Sequence, residues 1–304
     1  MATSSAFLHI STASSFTSTS KPKYQFPSLS YKPMKISMSQ TQTSWAKVNS
    51  EVESHITHIL ADRKPETTYK PMDRLVTEVP RSMAPVLCIA ACEAVGGDKG
   101  KAIPAASALH LMHVATYTHE YLQLSDDPSG ELVTADHMVQ LGYEMLSGMD
   151  DPSSGNSDQV LRVVIEVGRA MGSQGMVNGQ YLKMMRLDQE EANPEPLLDE
   201  AFEKKGGALY SCGAACGAIL GGGSDEEIEK LRKYGLYVGM IHNIMVHDGV
   251  GKEKRLLKLA DNLRFLALKE LEGMKEKNVE ALSSIMDGFS AFLRVQKYQF
   301  PRRV

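Results

Sequence analysis

The chain has 304 residues, with 33 Lys and Arg against 37 Asp and Glu and a formal net charge of −4. At 42% hydrophobic and 23% charged residues it has an ordinary globular composition, and no run reaches the roughly 18 apolar residues that a membrane-spanning helix needs. Mild acidity argues against a nucleic-acid partner held by bulk positive charge, and four cysteines in two local pairs are too few for a disulfide-stapled secreted domain.

Residues 1–44 differ from the rest. They hold eighteen Ser or Thr, the four lysines Lys21, Lys23, Lys32 and Lys35, and no acid, the first being Glu51. The segment lacks the compact apolar core of a secretory signal, so it reads as an organelle transit peptide, or otherwise as a tail without a role. The first arginine is Arg63, which favours a plastid over a mitochondrial address and places the expected mature protein in the chloroplast stroma. Losing the four lysines would take the formal charge from −4 to −8.

From residue 45 to 304 the apolar residues return at three- and four-residue intervals, which predicts one all-α domain without repeats. Val86–Val95 is an apolar helix stopped by Gly96 and Gly97. Lys101–Leu124 follows as a long helix with Pro104 tolerated in its first turn. Asp158–Arg186 is a further long helix, weakened by Gly172, Gly175 and Gly179. Leu197–Leu220 ends at Gly221, Gly222 and Gly223. Ser224 and Glu227 then form a capping box, with the acids Asp225, Glu226 and Glu227 suited to the positive end of the helix they open. Residues 252–272 and 278–297 supply two more amphipathic helices. About 260 residues in eight or more helices fit a single large bundle.

Two stretches carry a resemblance. Pro85-Val-Leu-Cys-Ile-Ala-Ala-Cys-Glu-Ala-Val-Gly-Gly97, and Cys216 through Gly221-Gly-Gly-Ser-Asp-Glu-Glu to Arg232, resemble plant geranylgeranyl diphosphate synthases. The likeness runs from about Pro71 to Gly249 and implies the helical bundle of the isoprenyl diphosphate synthase family. In that family two Asp-rich motifs on facing helices hold Mg²⁺, which grips the diphosphate of an allylic substrate as it ionises. Hard oxygen ligands suit Mg²⁺, and concentrated positive charge suits the departing diphosphate.

This chain departs from the pattern at most of those positions. In the first motif His119 is followed by Glu120, Tyr121, Leu122, Gln123, Leu124, Ser125 and Asp126, so only Glu120 and Asp126 keep a carboxylate. A neutral phenol at Tyr121 cannot stand in for one. The family's following Arg-rich segment is missing between Asp127 and Gly130. The second motif is replaced by Asn243, Ile244, Met245, Val246, His247, Asp248, Gly249 and Val250. Asp248 falls one place late, a turn of about 100° on a helix. Of the family's isopentenyl diphosphate contacts, Arg81 survives in Pro80–Pro85, and Lys205 survives with Gly206 in place of threonine. Arg81, Glu120, Asp126 and Lys205 are therefore vestigial diphosphate and metal positions. The resemblance then implies a chain with no catalytic residues and no metal of its own, the Mg²⁺ belonging to a catalytic partner.

Cys88 and Cys92, and Cys212 and Cys216, are each spaced i and i+4, so each pair shares one helix face. The CxxxC pairs resemble those of the non-catalytic small subunits of plant heterodimeric geranyl diphosphate synthases, where they contribute to binding the large subunit. That likeness implies that the four cysteines bind a geranylgeranyl diphosphate synthase large subunit and that the complex yields more geranyl diphosphate. Buried thiols also serve as small core hydrophobes, and a four-thiolate zinc site or redox control are further readings of the same residues. His110, His113, His119, His242 and His247 read as packing or solvent-facing histidines without a defined carboxylate partner. Two rival functions remain: an independent prenyltransferase with a degenerate magnesium site, and a scaffold that recruits a synthase without altering its products.

Overall fold

The computed structural model describes residues 40–121, 129–188, 200, 202–246, 254–274 and 279–288. The chain separates into Met1–Ser37, which lies wholly outside the described residues, and Met38–Val304, which contains every element below. Among the described residues the regular structure is helical throughout: α1 (Gln40–Ala61), α2 (Glu66–Glu78), α3 (Ala84–Ala94), α4 (Lys99–Tyr121), α5 (Ser129–Ser147), α6 (Ser157–Met171), α7 (Met176–Asp188), a π-helical turn (Phe202–Gly207) continuing into α8 (Ala208–Leu220), α9 (Asp225–Val246), α10 (Lys254–Glu270) and α11 (279–288).

The all-α reading and the punctuation by glycine agree with this arrangement. The Ser224 hydroxyl and the Glu227 carboxylate close a reciprocal box at the start of α9, with Ser224 N–H donating to Glu227 at 2.8 Å and Glu227 N–H to Ser224 Oγ at 3.3 Å. Gly96 and Gly222 have φ of +90° and +79°, ending α3 and α8 in the left-handed region that a side chain disfavours. The helix expected from Val86 begins at Ala84, the one expected over Leu197–Leu220 is interrupted by the π-helical turn, and the expected ends at Leu124, Leu197 and 297 lie outside the described residues. Two further differences have a visible cause. Helix α4 begins at Lys99, because the Asp98 carboxylate accepts the Gly100 N–H at 3.0 Å and caps it two residues early. The long helix expected over Asp158–Arg186 is two. A β-carbon at Gly175 would stand 2.1 Å from the Ala170 carbonyl oxygen, so the chain turns sharply between α6 and α7 where only glycine fits.

Helix α8 is the axis of the core. Its sequence, ALYSCGAACGAIL, has no charge on any face, and every residue from Cys212 to Leu220 is buried. A helix apolar all round must be surrounded, and α3, α4, α6 and α9 surround it. The tightest seam joins α8 to α3. β-carbons at Gly213, Gly217 and Gly221 would lie 2.5, 1.9 and 2.7 Å from the carbonyl oxygens of Ala84, Cys88 and Cys92. Three glycines at four-residue steps thus meet three carbonyls at the same step, and the helices touch backbone to backbone.

Candidate functional site

A cavity of about 260 Å³ opens between α4, α5, the α6–α7 turn and the π-helical turn. Its wall is made mostly of Ala115, Val139, Met171, Met176 and Val177, with Thr116 and Gln180 as neutral polar groups. Two charged residues expected as vestigial site positions meet on it: Lys205 Nζ and the Glu120 carboxylate form an ion pair. Their side chains are only 18% and 12% exposed, so the pairing is shielded from solvent and each charge answers the other where water cannot.

The π-helical turn delivers Lys205 to this position. Widening a helix by one residue per turn re-aims the side chains that follow, and such turns recur at functional sites. Small residues clasp the turn on two sides. A β-carbon at Gly179 of α7 would lie 2.6 Å from Lys205 N, and one at Gly206 would lie 2.6 Å from Asn243 Cβ. Glycine at 206, where the family pattern has threonine, is thus required by the approach of α9.

Arg81, the other vestigial position among the described residues, is not assembled with these two. Arg81 lies in the α2–α3 connection and pairs two-pronged with Glu53 of α1, Nε to Oε1 at 2.6 Å and Nη2 to Oε2 at 2.9 Å. It is not on the cavity wall. Asp126 and the stretch His247 to Val250 lie outside the described residues. His119, also on the wall, has a carboxylate partner that the sequence did not reveal: its Nε2 is 2.8 Å from Asp136 Oδ1 on α5. Do these residues fit Mg²⁺? Among the described residues, the one carboxylate on the wall is already matched by an ammonium, and no three His, Cys, Asp or Glu side chains gather to hold a metal ion. The donor set among the described residues does not fit the octahedral oxygen shell that Mg²⁺ demands.

The four cysteines are buried, at 2% exposure or less. Cys212 and Cys216 share a face, their sulfurs 3.7 Å apart, and the Cys216 thiol lies 4.0 Å from the Val163 carbonyl oxygen of α6. Burial pushes the Cys88 thiol well above its ordinary range and that of Cys92 up to about 11. The hydrogen bond that Cys216 makes to Cys212, with burial, does the same to Cys216. These are protonated, unreactive thiols.

Outside the cavity, α6 shows a feature missed in the sequence. Its inner face, Val160, Val163, Val167 and Ala170, is buried, yet Leu161 and Ile165 on the opposite side stay 57% and 43% exposed. The i, i+4 spacing of these two residues was the available signal. From beneath, α6 is fixed by Arg232 of α9, whose guanidinium holds the Glu166 carboxylate in a two-pronged pair, Nη2 to Oε1 at 2.9 Å. A larger depression along α2, about 510 Å³ and lined by Lys70, Asp73 and Arg74 among others, contains none of the expected site residues.

His110, His113 and His242 gather around the α2–α3 connection. His110 Nε2 donates to Val76 O at 3.2 Å and His113 Nε2 to Pro80 O at 2.7 Å, while His242 Nδ1 meets the Tyr210 hydroxyl at 3.2 Å. Burial pushes His113 and His242 down to about 4. They are neutral packing groups near neutral pH.

No protein-family model matches the chain. It is 42% identical over 279 residues, 84% of its own length and 97% of the relative's, to the Cannabis sativa heterodimeric geranylgeranyl pyrophosphate synthase small subunit 2, chloroplastic. Among solved structures it is similar to the geranyl diphosphate synthase small subunit from Antirrhinum majus, with TM-score 0.74 and 41% identity over 82% of this chain and 100% of that one. It is also similar to a chain of the mint heterotetrameric geranyl pyrophosphate synthase, with TM-score 0.72 and 39% identity over 81% of this chain and 99% of that one.

Proposed function

Because the chain belongs to the isoprenyl diphosphate synthase family, among the small subunits of plant heteromeric synthases, we propose that it is a non-catalytic regulatory subunit. It binds a geranylgeranyl diphosphate synthase large subunit in the plastid stroma, after removal of residues 1–44, and shifts the product toward geranyl diphosphate. The Glu120–Lys205 ion pair carries the reading. Glu120, one of the two carboxylates left in the first motif, and Lys205, the ammonium left to hold a diphosphate, neutralise each other, so the fold persists while these two charges are spent internally. The Mg²⁺ that assists ionisation then resides in the large subunit.

The exposed Leu161–Ile165 face of α6 is the surface offered to that partner. Its apolar character suits the centre of a stable interface. The buried cysteines contribute from behind: Cys216 packs beneath Val163, and Cys88 and Cys92 set the seam between α3 and α8, the helix against which α6 packs. Docking changes product length by favouring one arrangement of the large subunit's chain-elongation cavity, or by speeding release of the ten-carbon product, since a ligand without chemistry acts only by binding states unequally.

A second reading has its own support. The Cannabis sativa relative is called a geranylgeranyl pyrophosphate synthase subunit, which favours a partner that sustains synthesis with its twenty-carbon product unchanged. One experiment separates the readings: assay the mature chain, the large subunit and their mixture, and resolve ten-, fifteen- and twenty-carbon products. A rise in the ten-carbon fraction only in the mixture supports the first reading. An unchanged distribution supports the second, and turnover by the mature chain alone overturns both.

A further inference from the structure

We propose that the cavity carrying Glu120 and Lys205 is a binding site for a neutral ten-carbon isoprenoid alcohol, and that the ion pair on its wall excludes the corresponding diphosphate. The ligand class rests on the reading of the partner's product above; the selectivity for a neutral molecule rests on this chain alone.

The first argument is size. At the packing density of protein interiors, near 0.75, a branched ten-carbon chain with one oxygen needs on the order of 250 Å³. The cavity offers about 260 Å³. Fifteen- or twenty-carbon chains would extend beyond it, and a five-carbon chain would leave about half of it without contacts.

The second argument is the character of the wall. Ala115, Val139 and Val177 are aliphatic, and Met171 and Met176 add flexible thioethers that adjust to an unsaturated, branched chain. For a hydroxyl group the wall supplies Gln180, which both donates and accepts, and Thr116. The Thr116 hydroxyl donates to Met112 O at 2.9 Å, so its oxygen is presented as an acceptor. A few neutral polar groups on an apolar surface fix the orientation of a mostly hydrophobic ligand.

The third argument is charge. An ammonium on such a wall would ordinarily recruit a phosphate. Here Glu120 already satisfies Lys205, and an entering diphosphate would have to displace that carboxylate or sit against it as a like charge. The displaced Glu120 would then be a poorly solvated anion beside the ligand. An alcohol asks for neither rearrangement. Glu120 therefore acts as a specificity residue, an internal anion occupying the place of an external one.

The test uses the full chain without its partner and two probes, geraniol and geranyl diphosphate, titrated by calorimetry at fixed ionic strength without divalent metal. Expected is saturable geraniol binding at least tenfold tighter than that of geranyl diphosphate. Val177→Trp, at a position 45% exposed where the larger ring does not overpack the core, weakens geraniol at least tenfold while circular dichroism remains that of the native chain. Glu120→Gln, close in shape, strengthens geranyl diphosphate at least tenfold and leaves geraniol within about threefold. Absence of saturable geraniol binding, equal affinity of wild type and Val177→Trp, or tighter binding of the diphosphate to wild type would overturn the proposal. Large-subunit association is scored separately by co-purification, so loss of the alcohol site and loss of the regulatory role are distinct results.

Discussion

Gly217 of α8 faces the carbonyl of Cys88 on α3 so closely that a β-carbon there would stand 1.9 Å from the oxygen. No rotamer change relieves such a contact, because both partners are backbone. Gly217→Ala must therefore push α3 and α8 apart along a seam that also includes Gly213 and Gly221. Overpacking a core costs about 1–3 kcal/mol, and a backbone clash belongs at or above the upper end. Urea unfolding of Gly217→Ala is expected to lose about 3 kcal/mol or to yield no folded protein. A loss below about 0.5 kcal/mol would show that the seam is looser than described.

The same seam governs the thiols. All four cysteines are buried, and three are held protonated above their ordinary range. A water-soluble aromatic disulfide reagent should modify none of them on the native chain within the time that it modifies all four in denaturant. Cys216→Ala, which removes one small atom, should retain partner binding within about threefold. Cys216→Leu, which pushes on Val163, should weaken it tenfold or more. If both behaved alike, the cysteines would not act through α6.

The helical bundle was legible because its signals are local. Glycine pairs, the Ser224–Glu227 box and the apolar periodicity each act over a few residues, and the structure keeps them. The fate of the site was half legible. Missing carboxylates could be read from Tyr121 and Val246, but nothing local shows that Glu120 and Lys205, 85 positions apart, neutralise each other. Their meeting depends on the π-helical turn, whose extra residue leaves no periodic signal, and on Gly179 allowing α7 against it. His119 was likewise read without a partner because Asp136 comes from another helix. The cysteine pairs were legible as faces, and only the packing showed that those faces point inward.

Exposed apolar residues on α6 give the partner reading a direct check. Leu161→Glu combined with Ile165→Glu adds two charges on the solvent side while Val160, Val163 and Val167 continue to pack inward. Surface changes of this kind leave stability within about 0.5 kcal/mol per site. Desolvating two carboxylates at an apolar contact should in contrast weaken association with the large subunit a hundredfold or more, read by co-purification and by loss of the product shift. Undiminished association would move the interface off α6.

The histidines around the α2–α3 connection set an acid limit on the fold. Burial holds His113 and His242 near 4, against an ordinary 6.5, and His110 is pushed down by the same cause. Neighbours of these rings include Tyr210, Glu53 and Arg81. Between pH 6.5 and about 4 the unfolded chain takes up protons that the native chain refuses, so stability is fully present above 6.5 and declines as the pH falls through that window. Exposed carboxylate pairs such as Glu144 with Arg63 act lower, because arginine holds the Glu144 carboxyl below its ordinary 4.5. The unfolding midpoint should fall by roughly 5–10 °C from pH 7 to pH 4.5. In His113→Gln with His242→Gln, where an amide replaces each ring and does not titrate, the fall over the same interval should be at most half as large. An equal decline in both proteins would assign the acid sensitivity to other groups.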